Sequence, residues 1–154
     1  MNFKLSIVML AALGTLATGC ARGFDINTPD GFAELDDNDH YRYRATSAEG
    51  VVLAVRREQN DPEAGLDFWT KALENELAAR GYDLVATDAV KSKNGTDGKR
   101  LRYRVTKNGR PNVLWVTVFV SGKRLVVVEA GGDEAHFKGV EPKVAAAIEA
   151  IEIG

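Results

Sequence analysis

Apolar and polar residues alternate along several segments of this chain, and turn residues separate those segments at short intervals. Alternation with a period of two is typical of strands that bury one face. His40–Ser47 alternates in this way, and with the turn Ala48-Glu49-Gly50 and the returning segment Val51–Arg57 it predicts a hairpin. Alternation also predicts an edge strand at Phe24–Asn27, which is followed by a turn at Thr28–Gly31.

A run of further strands follows, and a turn signal separates each strand from the next. The predicted strands are Tyr82–Val90, Lys99–Thr106, Val113–Val120 and Leu125–Glu129. The third of them is apolar on both faces apart from Thr117, which indicates a central strand covered on both sides. Because short connections require antiparallel pairing, these strands are expected to form a meander.

Two segments have the spacing of amphipathic helices. In the first, apolar residues recur at intervals of three and four from Leu66 to Leu77, between a start signal at Asn60-Asp61-Pro62 and a closing Gly81. The second runs from about Lys138 to Ile151. The sequence therefore predicts an α+β fold, a twisted antiparallel sheet of about six to seven strands with helices packed on its faces.

The first twenty residues have the organisation of an export signal. Lys4 precedes an apolar run from Leu5 to Leu16, whose length suits a signal peptide and is too short to span a bilayer well. The segment ends Leu16-Ala17-Thr18-Gly19-Cys20, which resembles the lipobox of bacterial lipoproteins. The resemblance implies that Cys20 is lipidated and becomes the mature N-terminus. The common leucine three residues before the cysteine is here Ala17.

Two alternatives to lipidation stay open at this stage. The leader could be removed by ordinary signal cleavage, which would leave Cys20 as a thiol, or the apolar run could be a buried helix. Cys20 is the only cysteine, so no disulfide can form within the chain, and lipidation would remove a thiol that is a liability in an oxidising compartment.

The predicted organisation is a lipoprotein signal peptide at residues 1–19, a short tether at 20–23 and one domain at 24–154. Four residues reach at most about 14 Å when extended, so the domain is expected to lie close to the bilayer. Ala21 occupies the place where, in lipoproteins generally, Asp favours retention in the inner membrane. In a Gram-negative cell the resemblance implies the periplasmic face of the outer membrane.

Composition narrows the possible partners. The 154 residues suit one domain, and 20 basic residues against 22 acidic ones give a net charge of −2. This mild acidity argues against nucleic acid as the main partner, because binding to phosphates requires a clustered basic surface. The glycines follow neither nucleotide-binding pattern, and no serine lies in a nucleophile elbow. We therefore expect no cofactor and no enzymatic activity.

Five arginines are the strongest candidates for a binding surface. They are Arg42, Arg44, Arg100, Arg102 and Arg104, and within each strand the alternation places them on one face. If the two strands lie near one another, these residues form a basic stripe that could bind anionic lipid headgroups, lipopolysaccharide phosphates or an acidic protein. In the alternative interpretation the arginines pair with Asp and Glu, or pack their stems beneath a helix.

Two further groups of polar residues were considered as a metal site and as a catalytic site, and both are interpreted as ordinary surface residues. Asp36, Asp37, Asp39 and His40 could bind a divalent cation, but they lack the regular ligand series of a calcium loop. His136 could act as a general base, but no nucleophile stands at a recognisable spacing from it. We expect no metal site and no catalytic residue among them.

The order of these motifs resembles small bacterial lipoproteins of the PsbP-like fold class. The segments that carry the resemblance are Phe24–Phe32, the hairpin that turns at Gly50, Phe68-Trp69, Gly81-Tyr82 and Val128–Gly132. They are core and turn residues, so they imply the fold more than the function. The better-known members of the class are docking or assembly factors, which implies an interaction module without catalysis.

Three functional hypotheses follow from the sequence. The first is a non-catalytic, lipid-anchored envelope protein that docks on a protein partner near the membrane. The second is a carrier of a small ligand or lipid, with a pocket between sheet and helix and with Trp69 and Trp115 as reporters. The third is a hydrolase whose Asp, Glu and His site the sequence does not reveal.

Overall fold

The computed structural model describes residues 22–36 and 40–154, in which the chain forms nine strands and two helices. In chain order these are β1 (Phe24–Asp25), β2 (Phe32–Glu34), β3 (Tyr43–Ser47), β4 (Val52–Gln59), α1 (Leu66–Ala79), β5 (Asp83–Lys91), β6 (Asp97–Lys107), β7 (Arg110–Ser121), β8 (Arg124–Asp133), α2 (Glu134–Glu149) and β9 (Glu152–Ile153). The predicted signal peptide and Cys20 lie outside the described residues. Within them, neither helix combines the length and the apolar character that crossing a bilayer requires.

One antiparallel sheet of seven strands organises the described part of the chain. Its strand order is β2-β3-β4-β8-β7-β6-β5, and every neighbouring pair is antiparallel. The predicted hairpin and the predicted meander are both present. The α+β fold with an antiparallel sheet of six to seven strands is therefore confirmed.

The chain termini differ from the prediction. Phe24 pairs with Ile153 in a separate two-stranded sheet of β1 and β9, and β1 is not an edge strand of the large sheet. The edge is formed by β2, whose Phe32 pairs with Ser47. β2 and β9 contain only three and two residues, so alternation could not reveal them.

Both helices begin at other residues than predicted. α1 starts at Leu66 with Gly65 as its N-cap, whereas the Asn60-Asp61-Pro62 signal lies in the preceding loop. α2 starts at Glu134, about four residues earlier than predicted, because the side chain of Asp133 accepts a hydrogen bond from Ala135 N at 3.0 Å. A capping carboxylate of this kind pairs one of the amides that a helix leaves open at its first turn.

Each face of the sheet carries its own hydrophobic core. The residues of the α2 side include Tyr43, Leu53, Val55, Phe119, Val128, Phe137, Val144 and Ile148. Those of the α1 side include Leu101, Tyr103, Val116, Val118, Val127, Trp69, Leu73 and Leu77. β7 contributes to both cores, which confirms the central strand predicted from its two apolar faces.

The two helices cover the sheet unequally. α2 packs on β7 and β8 in the middle of one face, whereas α1 packs over β5, β6 and β7 toward one end of the other face. On the face that carries α1, the helix therefore does not cover β3, β4 and β8. We call this part of the sheet the uncovered half, and most of the polar groups described next lie on it.

Candidate functional site

The five candidate arginines do not form one surface. Three strands separate β3 from β6 in the sheet. Strand pairing places Arg44 on the same face as Glu129 and Arg100 on the same face as Val128, and these two neighbours on β8 point to opposite sides. The continuous basic stripe is therefore absent, because it required the two strands to lie near one another with their arginines on one face.

The arginines of β6 are held in ion pairs within the fold. Arg100 Nε donates to Asp88 Oδ2 at 3.2 Å, and Arg102 Nη2 donates to Asp88 Oδ1 at 3.1 Å. Arg104 Nη2 donates to Glu134 Oε1 at 2.7 Å. The Arg100 side chain is 12% exposed, and its guanidinium carbon lies 4.5 Å from the centre of the Trp115 ring. These contacts match the alternative interpretation, in which acidic partners neutralise the arginines.

The two arginines near β3 separate from each other. The guanidinium carbon of Arg44 lies 6.0 Å from the centre of the Tyr41 ring, on the uncovered half of the sheet. Arg42 precedes β3 and lines a shallow cavity of about 240 Å³ together with Arg57, Glu58, Gln59 and Arg124. Arg57 and Arg124 were not among the residues predicted from the sequence.

A polar network occupies the centre of the uncovered half. Tyr41 Oη donates to Glu129 Oε2 at 2.7 Å, and Arg56 Nε donates to Glu129 Oε1 at 3.2 Å. Arg56 Nη1 also donates to Glu58 Oε1 at 2.7 Å. Glu129 thus joins a tyrosine and an arginine, and both of its carboxylate oxygens are engaged.

The surroundings of Tyr41 keep its hydroxyl protonated. Burial, the hydrogen bond to Glu129 and the negative charge of Glu129 raise the pKa of Tyr41 to about 12, although Arg56 and Arg44 oppose this shift. A phenol with a raised pKa is a poorer source of a nucleophilic phenolate near neutral pH. The network therefore suits hydrogen bonding and charge recognition more than proton transfer.

A groove runs along α1 where the helix meets the uncovered half, and we call it the α1 groove. It encloses about 310 Å³ and is lined by the apolar residues Trp69, Ala72, Leu73, Val118, Leu125 and Val127 and by the polar residues Arg56, Glu58, Gln59 and Glu76. Arg56 and Glu58 belong both to its rim and to the polar network. The groove therefore combines an apolar floor with a rim that carries both signs of charge.

Asn60 fixes the tryptophan of the α1 groove. The amide oxygen of Asn60 accepts a hydrogen bond from Trp69 Nε1 at 2.7 Å and another from Ala64 N at 3.0 Å. Asn60 Nδ2 donates to Gly122 O at 2.9 Å, in the turn between β7 and β8. One buried amide thus ties the loop before α1, the indole and the sheet together.

Of the remaining candidate groups, His40 borders the polar network through Tyr41, and the others lie elsewhere or outside the described residues. His40 is exposed, with its ring centre 4.7 Å from that of Tyr41, and His136 is exposed in the first turn of α2. Asp36 is exposed, whereas Asp37 and Asp39 lie outside the described residues. Within residues 22–36 and 40–154, no group of three His, Cys, Asp or Glu side chains could hold a metal ion.

No protein-family model matches the sequence, and no curated protein is found to match it. Several solved structures, however, are similar to this chain. The solution structure of cyanobacterial PsbP (CyanoP) from Synechocystis sp. PCC 6803 superposes with a TM-score of 0.58 at 15% identity, over 86% of this chain and 88% of that one. The fold is PsbP-like.

Two other structures share the PsbP-like fold. LpqN, involved in cell envelope biogenesis of Mycobacterium tuberculosis, gives a TM-score of 0.68 at 14% identity over 84% of this chain and 82% of its own. PA94 from Pseudomonas aeruginosa, a protein of unknown function, gives 0.55 at 18% identity over 81% and 80%. At these identities the similarity shows the fold alone.

The network and the groove of this PsbP-like domain could not be recognised from the sequence. Arg56 and Glu129 lie on neighbouring strands but are separated by 73 positions in the chain. Each lies on a strand that the sequence did predict, where Arg56 ends one apolar run and Glu129 interrupts another. A charged residue beside an apolar run was the available signal, but only the pairing of β4 with β8 shows that the two residues belong to one network.

Proposed function

We propose that this protein is an exported, lipid-anchored accessory module of the bacterial envelope, which binds a protein partner close to the membrane and does not act as a catalyst. The anchor is the acylated Cys20. The binding surface is the α1 groove with the adjoining polar network. The similar fold of LpqN, a protein involved in cell envelope biogenesis, supports an envelope role.

The observation that carries the proposal is the short distance along the chain between Cys20 and the folded body. Phe24 is buried at the start of β1, four residues after Cys20. Gly154 N donates to Gly23 O at 3.0 Å, which ties the end of the tether to the C-terminus. A lipid on Cys20 would therefore hold the body within about 14 Å of the bilayer surface.

The chemistry of the α1 groove supports a partner of a particular kind. Its apolar floor around Trp69 and Leu73 favours an apolar side chain, and a buried aromatic anchor is a common source of binding energy at protein interfaces. Arg56 and Glu76 on the rim favour charged residues of both signs beside that side chain. We therefore propose a segment of another envelope protein with an apolar residue flanked by charges.

Site-directed photocrosslinking in intact cells tests the partner surface. A photoreactive amino acid at Ala72, which lines the α1 groove, is expected to yield one dominant protein adduct. The same probe at Ala78 is the matched control, because Ala78 is exposed on α1 and does not line the groove. Equal adducts from both positions, or none from Ala72, would contradict the proposal.

A second function is favoured by the volume of the α1 groove. About 310 Å³ lies at the lower end of the range for small-ligand sites, so the groove has room for a short apolar ligand such as an acyl chain. Trp69 lines this space. Trp115 is on the other face, where its ring centre lies 5.0 Å from that of Phe137.

Tryptophan fluorescence during a titration with decanoate tests this carrier function. We expect a saturable change in emission from wild type and from Trp115→Phe, because both retain Trp69 in the groove. Trp69→Phe is expected to show no saturable change. A spectrum that decanoate leaves unaltered in all three proteins would exclude the carrier function for this class of ligand, and a change that persists without Trp69 would place the ligand elsewhere.

A further inference from the structure

We propose that Asn108 is a modification site, at which the side chain loses its amide to water and the residue becomes isoaspartate or aspartate. The chain contains two Asn-Gly pairs, Asn94-Gly95 and Asn108-Gly109, and a lysine precedes each of them. Because glycine has no Cβ, the backbone nitrogen that follows the asparagine can approach its side chain in both pairs. The pairs are matched in local sequence, and the fold makes them unequal. This inference does not depend on the proposed anchor or partner surface.

The reaction needs water as its only co-reactant. The nitrogen of Gly109 attacks Asn108 Cγ, so that a bond forms between these atoms and the bond from Cγ to Nδ2 breaks. The proton of the attacking nitrogen leaves with the amide group as ammonia, and a cyclic succinimide remains. Water then opens the ring at one of its two carbonyl groups. One opening gives aspartate, and the other gives isoaspartate, in which the main chain runs through the former side chain.

Hydrogen bonds protect Asn94 from this reaction. Asn94 Nδ2 donates to Ile153 O at 2.7 Å, and Asn94 Oδ1 accepts from Ile153 N at 2.9 Å and from Ser92 Oγ at 2.8 Å. The attacking nitrogen is also engaged, because Gly95 N donates to Ser92 O at 3.0 Å. Both reacting groups must therefore give up hydrogen bonds before the ring can close.

Asn108 has no such protection. It is exposed in the turn between β6 and β7, where Lys107 pairs with Arg110, and Asn108 and Gly109 have φ angles of 51° and 72°. Two positive φ angles in a two-residue turn are typical of a tight hairpin. Within residues 22–36 and 40–154, the Asn108 side chain makes no hydrogen bond, and Gly109 N donates none to the backbone. No contact of this side chain has to break before the reaction.

The tip of the β6–β7 hairpin also extends beyond the neighbouring strands. β5 pairs with β6 only as far as Arg104, and β8 pairs with β7 only as far as Asn112. In the described part of the chain, residues 106–111 therefore form a ribbon of two strands. Such an end opens easily, because closing it buries little surface. Opening releases Asn108 from its left-handed conformation and lets Cγ reach the nitrogen of Gly109.

Isoaspartate at this position would change the turn itself. It adds a methylene group to the main chain, so the two-residue turn no longer matches the twist of the flanking strands. It also places a carboxylate between Lys107 and Arg110, where the unmodified protein has a neutral amide. We therefore expect the pair of Lys107 and Arg110 to open more often, which faster hydrogen exchange at Arg110 would record.

Peptide mapping by mass spectrometry tests the inference on the purified, folded protein. The protein is incubated in mildly alkaline buffer and digested, and the fraction of each asparagine that has lost its amide is followed over time. We expect Asn108 to react at least about tenfold faster than Asn94, because the hydrogen bonds of Asn94 keep it in an unreactive state for most of the time. Isoaspartate is distinguished from aspartate by fragmentation of the peptide.

Two controls separate the fold from the local sequence. In concentrated urea, where the fold is lost, the two asparagines should react at similar rates. Ser92→Ala removes the hydroxyl that donates to Asn94 Oδ1 and accepts from Thr96 N, each at 2.8 Å. This variant should raise the rate at Asn94 several-fold and leave the rate at Asn108 unchanged.

Three results would overturn the inference. Equal rates in the folded protein, or a faster reaction at Asn94, would show that the hydrogen bonds of Asn94 do not protect it. An Asn108 that reacts in urea but stays intact in the folded protein would show that the turn is too rigid to react. The same ratio of rates in urea as in the folded protein would assign the difference to the local sequence.

Discussion

Replacing Cys20 by serine is expected to abolish acylation of this protein completely. The thiol is the group that accepts diacylglycerol in bacterial lipoproteins, and Cys20 is the only cysteine of the chain. In cells supplied with radiolabelled palmitate, wild type should incorporate label and Cys20→Ser should incorporate none. Mass spectrometry of wild type should find an N-terminal peptide that begins at an acylated Cys20.

For Cys20→Ser, direct detection of attached acyl groups is a better measurement than the amount of protein in the membrane fraction. An unprocessed chain would keep the apolar run of its leader and could stay on membranes through that segment, so fractionation alone would mislead. Ala17→Leu is the matched control, because it restores the leucine that the common lipobox has at this position. It should remain acylated. A wild-type protein with an intact leader, or a mature protein without acyl groups, would contradict the proposed anchor.

Removing the side-chain amide of Asn60 is expected to cost the domain about 2–4 kcal/mol of unfolding free energy. Asn60 is 6% exposed and makes hydrogen bonds to Trp69 Nε1, Ala64 N and Gly122 O. Asn60→Ala removes all three hydrogen bonds, and a hydrogen bond within a protein typically contributes about 0.5–1.5 kcal/mol to stability. Urea denaturation of wild type and variant measures the difference.

Two further variants separate the roles of this amide. Asn60→Asp keeps the acceptor for Trp69 and Ala64 but removes the donor to Gly122, so we expect a loss of stability as well. Asn75→Ala changes the same residue type at an exposed position of α1 and should stay within about 0.5 kcal/mol of wild type. If Asn60→Ala were as stable as Asn75→Ala, Asn60 would not be the residue that ties α1 to the sheet.

Much of the fold could be predicted because its elements have strong local signals. The alternating segment Tyr43–Ser47 and the largely apolar start of Val52–Gln59 form the predicted hairpin. The stripe from Leu66 to Leu77 forms the partly buried side of α1 that packs on the sheet. The start of α1 could not be predicted in the same way. Asn60 has the side chain of a helix cap, but tertiary contacts with Trp69 and Gly122 use that side chain instead.

The candidate site was predictable only in its residue types. Alternation correctly placed the arginines of each strand on one face, but it could not tell which faces coincide. That depends on the strand order, which puts three strands between β3 and β6. The same order brings Arg57 and Arg124 beside Arg42, although Arg57 and Arg124 are 67 positions apart in the chain.

The sequence alone determined the candidate export signal, the strand and helix segments and the side of each strand that is apolar, because these features arise from neighbouring residues and from periods of two and 3.6. Only the tertiary structure decided which strands adjoin, which half of the sheet α1 leaves uncovered and which charges meet. Those outcomes depend on the packing of residues that are far apart in the chain, and no local pattern encodes a partner at such a distance.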